Sequence, residues 1–503
     1  MSKNKQILIF SVIGLAVLGG VTALLLLTAP APETEEAPTE PIADESADLV
    51  LIDKTAEEVA SLHIQNGEDE YDVLPSGETD ESGEPLYTVA GLEGANLRLS
   101  ELKNMVANAA SLTARDYVEE GAELTKYGLT EPKATVTVNF ADGSDYTFRV
   151  GDDVPSSSVA VYFYAEASDT VYTYTKSKLT AFTGDRFSLV ETQVMPAADS
   201  ETGEEVLSLT IERGDLDEPI RIEQIPPSDD PDELSVFTYQ LVSPYTVYLD
   251  LTNGSAFLQS LFGLTAQSAQ WYGMEERDYE ISGLDDPSAV LTLVTTKKTY
   301  TVTLGRTAAR EVTDDDGNVS TEILGVYGMS SEVADTLFLF DYSSIPAATV
   351  TADSLMSKLF FMPYIYSLKE VVYEDHLGQT FTLGFEKVKD ATESDAAVYR
   401  HLLNGEETDE QRLKNIYQYM ISAAGDELYL GDGEGELLAE IRYRYADETR
   451  GEVAVRFYES TEDRKIIVNI NGTNLFKAKQ IYLTRLLENV KNYLNGGEII
   501  LTY

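Results

Sequence analysis

The sequence predicts an α+β protein in which an N-terminal transmembrane helix precedes three tandem α+β modules, each running strand, strand, helix, antiparallel meander and closing helix. Three observations predict this. A 26-residue signature is repeated, an amphipathic helix pattern precedes each copy, and the chain opens on a long apolar run without charge.

The signature YGLTEPKATVTVNFADGSDYTFRVGD at 127–152 returns as ISGLDDPSAVLTLVTTKKTYTVTLGR at 281–306. Gly128, Leu129, Pro132, Ala134 and Thr137 recur 155 positions later at Gly283, Leu284, Pro287, Ala289 and Thr292. Alternation of apolar and polar residues after each proline marks a half-buried strand and its hairpin partner. Each proline stands where it precedes a strand without removing a ladder hydrogen bond. A weaker third copy is read at 439–458, AEIRYRYADETRGEVAVRFY, where Ala439, Ile441, Tyr443 and Tyr445 repeat the alternation.

Helix patterns stand upstream of all three. Leu99, Leu102, Val106, Ala109 and Leu112 lie at helical spacing with Ser100 as cap; Phe257, Leu258, Leu261 and Phe262 form a second stripe. In the third, Leu413, Ile416, Tyr417, Met420 and Ile421 follow a capping box of Thr408 and Gln411. Two strands are expected before each helix: ASLHIQN with PLYTVAG, LSLTIER with FTYQLVS, and LKEVVYED with TFTLGFEK. After each meander a further strand, DTVYTYT or RKIIVNI, and a closing helix, SSEVADTLFLF or AKQIYLTRLLENVKNYL, complete the unit.

The apolar run at 7–29 is long enough to cross about 30 Å of hydrocarbon and longer than the apolar core of a cleavable signal, so it reads as an anchor, with cleavage near Thr28-Ala29-Pro30-Ala31 as the competing reading. Lys3 and Lys5 before it and acids after it place residues 1–6 in the cytoplasm and the bulk of the chain outside, as a single-pass cell-membrane protein. Residues 30–48, rich in Pro and Glu, read as an extended acidic stalk. The modules are then bounded at 49–197, 205–348 and 366–503, the last divergent.

Composition narrows the chemistry. The 503 residues carry 36 Lys plus Arg against 87 Asp plus Glu, a net charge of −51, which repels phosphodiester backbones and excludes nucleic acid as a partner. Cysteine is absent, which removes disulfides, thiolate metal sites and thiol nucleophiles. The three histidines, His63, His376 and His401, fall in separate places. Ser100 and Lys103 fit the S-x-x-K pattern of acyl-transfer enzymes, without the S-D-N or K-T-G companions that such enzymes need. GDGEGE at 431–436 reads as a turn, since its acids repel phosphate. TDDDGNVSTE at 313–322 is dense in oxygen ligands but lacks EF-hand spacing, and reads as a loop between strands. Carboxylate pairs such as Asp229 with Asp230 and Asp285 with Asp286 sit in turn-like settings. No catalytic residue, metal ligand or cofactor-binding residue is expected. Candidate partner-binding residues are the basic strip Arg442, Arg444 and Arg456, set against cross-strand pairing with Glu440 and Glu452, and the tyrosines Tyr162 and Tyr164.

The N-terminal run, LIDKTAEEVASLHIQN, KYGLTEPKATVTV and DTVYTYTKSKLTAF together resemble the bacterial domain of unknown function 4340, which occurs in membrane-anchored envelope proteins. The likeness covers about residues 49 to 195 well and the second module more loosely. It implies an accessory envelope role beside ABC-transporter components of the gliding-motility type. The expected function is therefore a membrane-anchored, extracytoplasmic, non-catalytic binding or assembly protein. The alternative is an envelope hydrolase acting on carbohydrate or peptidoglycan through a carboxylate pair assembled between modules.

Overall fold

In the computed structural model, which describes residues 49–197, 203–226, 236–313, 317–359, 361–390, 397–432 and 435–503, one antiparallel sheet is built three times. In the first, the spatial order is Pro85–Val89, Glu70–Thr79, Val59–Asn66, Ala134–Phe140, Asp145–Asp153, Ala160–Ala165, Thr170–Thr175 and Asp116–Glu120. A three-strand meander thus ends in a helix, Leu99–Ala110, that carries the chain to the far edge; the signature strands then fill the space between. The second and third sheets repeat this order, each with one added two-residue strand at the near edge, Val247–Tyr248 and Glu406–Glu407.

The repetition extends to the register. The strands Val59–Asn66, Val206–Arg213 and Leu368–Asp375 sit in the middle of their sheets with the same alternation of buried and exposed residues. Each carries a bulge one step from its start, between Val59 and Ser61, Val206 and Ser208, and Leu368 and Glu370. A bulge adds twist at a chosen point of the ladder, so its recurrence means that the three sheets coil alike. The apolar pairs it sets in register, Leu62 with Val138, Leu209 with Leu293 and Val371 with Tyr443, are buried. Each such side chain contributes about 1.5–3 kcal/mol by leaving water.

These sheets correct the expected fold class. Of the described residues 46% lie in strands and 21% in helices, so the protein is mainly β rather than α+β. The segment read as a closing helix at 331–340 is the strand Val333–Phe340, whose four-residue end, Leu337 to Phe340, is buried on both sides. A continuous apolar run satisfies helix and buried-strand templates alike, and its aromatic content favours the strand. An additional strand, Glu70–Thr79 or Ile220–Gln224, also separates the two expected before each of the first two helices. The helix caps are shifted as well. Arg98, not Ser100, stands at the first cap, and Asp409, accepting from the Arg412 amide at 2.8 Å, caps the third helix in place of Thr408.

The expected transmembrane anchor is corrected too. Among the described residues no helix is long and apolar enough to cross a membrane. The longest, Gln480–Leu494, has 15 residues, about 22 Å at 1.5 Å each, and is amphipathic. The structure therefore carries no support for a single-pass protein with a cytoplasmic N-terminus and an extracytoplasmic body. The segments read as tail, span and stalk lie outside the described residues.

The signature residues turn out to be structural. Gly128 and Gly283 adopt left-handed conformations, φ 67° and 73°, where they end the turns Leu124–Tyr127 and Glu276–Ser282. Across from each, a second glycine lets the backbone close up: a Cβ on Gly151 would lie 2.3 Å from the Tyr127 carbonyl oxygen, and one on Gly305 2.1 Å from that of Ser282. Leu129, fully buried, then packs with Tyr164 and Val171 in a small second core on the outer face of the first sheet.

The units are joined by backbone and by ring contacts. The chain leaving the first sheet bridges Gln193 to Thr265, and the chain leaving the second bridges Leu249 to Met356 and Leu359 to Ala424. The buried Ser330 hydroxyl donates to the Val194 carbonyl at 2.6 Å, and Phe187 stacks on Trp271 with ring centroids 6.1 Å apart. Upstream of that ring, Arg186 clamps the closing segment: its Nε and Nη2 donate to Asp69 at 2.6 and 2.8 Å, and further bonds reach the carbonyls of Ala90 and Glu70. Most of the buried residues of the three sheets form one continuous cluster, apart from that small second core.

Two outcomes follow for stability. Gly151→Ala should lower the unfolding free energy by about 2 kcal/mol or more, because backbone must move, while Gly67→Ala, with open space around it, should stay within about 0.5 kcal/mol; urea titration measures both. The Arg186 guanidinium holds the Asp69 carboxyl down at about 2 from 3.8. A carboxyl depressed in the folded state stabilises above its ordinary pKa and loses that contribution as pH falls toward the folded value. Asp69→Asn should therefore cost about 1–2 kcal/mol at pH 7, with the gap to the parent closing between roughly pH 4 and 2.

Candidate functional site

The basic strip is built by alternation. Arg442 and Arg444 lie two apart on the strand Leu437–Tyr445, and Arg456 stands on Glu452–Glu459 directly opposite Glu440. All three are engaged. Arg456 Nε donates to Glu440 at 2.6 Å, Arg442 lies 3.3 Å from both Glu440 and Glu374, and Arg444 bridges Glu452 at 2.5 Å and Glu370. The hydrogen bonds that Arg444 donates to Glu452 and Glu370 raise its pKa. The strip is a cross-strand network that includes the two expected partners, Glu440 and Glu452.

Tyr162 and Tyr164 face outward from the strand Ala160–Ala165, as period two requires, while Phe163 points to the main core and stacks on Tyr174 at 5.0 Å. The outward tyrosines are covered by their own chain. Tyr127 of the signature packs edge-on against Tyr162 at 4.8 Å, and Tyr164, 9% exposed, donates to Asp169 at 2.8 Å. The cover comes from residues 118–129, which no local pattern announces.

The reactive residue types stay apart. His63 Nδ1 lies 2.8 Å from Asp72, His376 Nδ1 meets the Leu438 carbonyl, and His401 is buried 3.2 Å from the Tyr366 hydroxyl, its pKa lowered chiefly by desolvation. Lys103, the lysine of the S-x-x-K pattern, gives its ammonium to Asp80 rather than to Ser100. Asp285 and Asp286 are exposed in the turn before Pro287. Asp229, Asp230 and the tip of the acidic loop at 314–316 lie outside the described residues, as do two residues of the glycine-rich turn, 433 and 434. Among the described residues no three metal-ligating side chains come together.

Two open grooves remain. The larger, about 670 Å³, runs along the helix Leu99–Ala110 of the first unit, between Arg98, Glu101, Asn104 and Asn108 on the helix side and Lys178 on the closing segment, over a floor of Met105. The Asn104 and Asn108 amides and the Lys178 ammonium have no partner among the described residues. The smaller, about 450 Å³, lies between the first two units and holds Glu191 and Glu332. Glu332 accepts from Lys298 at 2.5 Å. Neither groove was legible in the sequence, because each is made by segments distant along the chain.

No curated protein and no solved structure matches the chain. The model of one family, described as Domain of unknown function (DUF4340), matches residues 88–287, from the third strand of the first sheet through the second Gly-Leu signature. Residues 88–287, which take in both glycine caps, Gly151 and the junction of the first two units, thus match the model of the DUF4340 family.

Proposed function

We propose that this protein is a non-catalytic binding and assembly protein, with ABC-transporter components as the partner class that the family resemblance implies. The observation that carries this is the state of the carboxyl groups. Where their pKa departs from the ordinary value it moves down, at Asp69, Asp80, Asp142, Asp153, Glu204, Glu410 and Glu462, each held by a Lys, Arg, Thr or backbone donor. A glycoside-cleaving general acid needs the opposite, a carboxyl kept protonated by an apolar pocket. Three copies of one sheet joined through a continuous core supply instead a long surface on which weak contacts add through multivalency.

A second reading has one observation in its favour: Glu191 and Glu332 line the same groove between the first two units. Hydrolysis there would require one of them to act as a proton donor, while Glu332 is ion-paired with the Lys298 ammonium at 2.5 Å. Affinity capture of the full chain from gently lysed cells, run beside a digest of purified wall polymers, separates the two. Capture of transporter subunits, unchanged within about twofold by Glu191→Gln combined with Glu332→Gln, is the expected result. Polymer cleavage that this double variant abolishes would replace the binding reading with the hydrolytic one.

A further inference from the structure

The larger groove occupies a place that the third unit fills with its own chain. The helices Leu99–Ala110 and Glu410–Ile421 are both 12 residues long and bury the same positions: Leu102, Met105, Val106 and Ala109 in one, Leu413, Ile416, Tyr417 and Met420 in the other. That register sets Glu101 against Arg412, Asn104 against Asn415 and Asn108 against Tyr419. In the third unit this face is covered by the helix Gln480–Leu494. Arg412 donates to the Tyr493 carbonyl at 3.1 Å and the Gly497 carbonyl at 2.9 Å, the Tyr419 hydroxyl donates to the Tyr482 carbonyl at 3.0 Å, and the rings of Tyr419 and Tyr482 stack at 5.4 Å.

In the first unit the corresponding element stops after one turn. The strand Thr170–Thr175 leads into a four-residue helix, Lys176–Leu179, just as Thr473–Lys479 leads into the 15-residue one, but the chain then turns away through Thr180–Phe182 to the Arg186 clamp. The 670 Å³ groove lies between this shortened segment and the helix Leu99–Ala110.

We propose that this groove is a docking seat for a helix of a partner protein, lying antiparallel to Leu99–Ala110 with its C-terminal turn at Arg98. The seat differs from its counterpart in polarity. Asn108 replaces the buried Tyr419, so the docked face is polar, with hydroxyl and amide side chains to meet Asn104 and Asn108 over a narrow contact with Met105. Charge complementarity fixes the direction. The last carbonyls of a helix carry about half a negative charge; the place of Arg412, which donates to the carbonyls of Tyr493 and Gly497, is taken by Glu101, but Arg98 at the head of the groove meets that acid through one Nη at 3.5 Å and keeps further N–H donors for them. A carboxylate one or more turns earlier in the partner helix meets the unpaired Lys178.

The inference rests on the binding reading and names the surface that does the binding. To test it, a photoreactive benzoylphenylalanine replaces Asn104 in the full chain expressed in its own host, with the same residue at exposed Tyr117 as a second probe. The expected result is an adduct from position 104 to a partner polypeptide, at residues spaced three and four apart along a helix. Its yield should fall about tenfold or more with Arg98→Glu and with Asn108→Trp, at unchanged thermal midpoint. Adducts only to a second copy, a glycan or an extended segment, or no adduct at 104, would overturn it. A partner that cross-links from 117 but not from 104 leaves the binding reading standing and removes the helix seat.

Discussion

The fold depends on a close approach that only glycine permits. In two units a strand backbone runs so near to a preceding carbonyl, Gly151 to Tyr127 and Gly305 to Ser282, that no side chain fits between them. This contact presses the turn ending in Gly128 or Gly283 onto the outer face of its sheet and drives the next residue, Leu129 or Leu284, out of water. A chain repeats such residues because each sheet needs its outer face sealed by the same wedge. They carry no chemistry, and their recurrence reports geometry.

Once sealed, the sheets are joined by short connections that behave as extra strands. The bridge from Gln193 to Thr265 and the bond from Ser330 to the Val194 carbonyl place the first linker inside the second unit. Around it stand the Arg186 clamp and the stacked pair Phe187 and Trp271, with the Tyr272 hydroxyl donating back to the Glu93 carbonyl at 3.0 Å. Trp271 is 49% exposed despite this stacking, so the junction is a half-open seam with a polar clamp behind it. A seam of this kind aligns two sheets without merging them, which lets repeated surfaces face a partner in fixed order.

Much of this was legible in the sequence because strands carry a period of two. The alternation at Ala134 to Phe140 and again at Ala439 to Tyr445 gave the central strands, and the same rule put Arg442 and Arg444 on one face opposite Arg456. What failed were features that alternation does not encode. The run ending Leu337 to Phe340 is buried on both sides, so it has no period to read and passed for a helix. Thr408 yielded its capping role to its neighbour Asp409, because hydroxyl and carboxylate compete for the same amide and the carboxylate is the stronger acceptor. The cover over Tyr162 and Tyr164 and the groove beside Asn104 arise from contacts across tens of residues, and in the groove from turns that the first unit lacks.

The groove gains meaning from the scarcity of positive charge. With 36 basic residues against 87 acidic ones, many cations on the strands are paired: Lys133 and Lys176 share Asp153, Lys465 reaches Asp426, and Arg444 spans two glutamates. Each exposed pair is worth only about 0–1 kcal/mol to stability, so pairing is a result of abundance more than a need of the fold. Against that background Lys178 stands in a groove with an acid, Glu101, that is turned to Arg98 instead. Across the groove the Asn104 and Asn108 amides have no partner among the described residues. Lys178 faces the helix Leu99–Ala110, whose counterpart Glu410–Ile421 is covered by its own chain, and that is where the proposed contact with a partner forms.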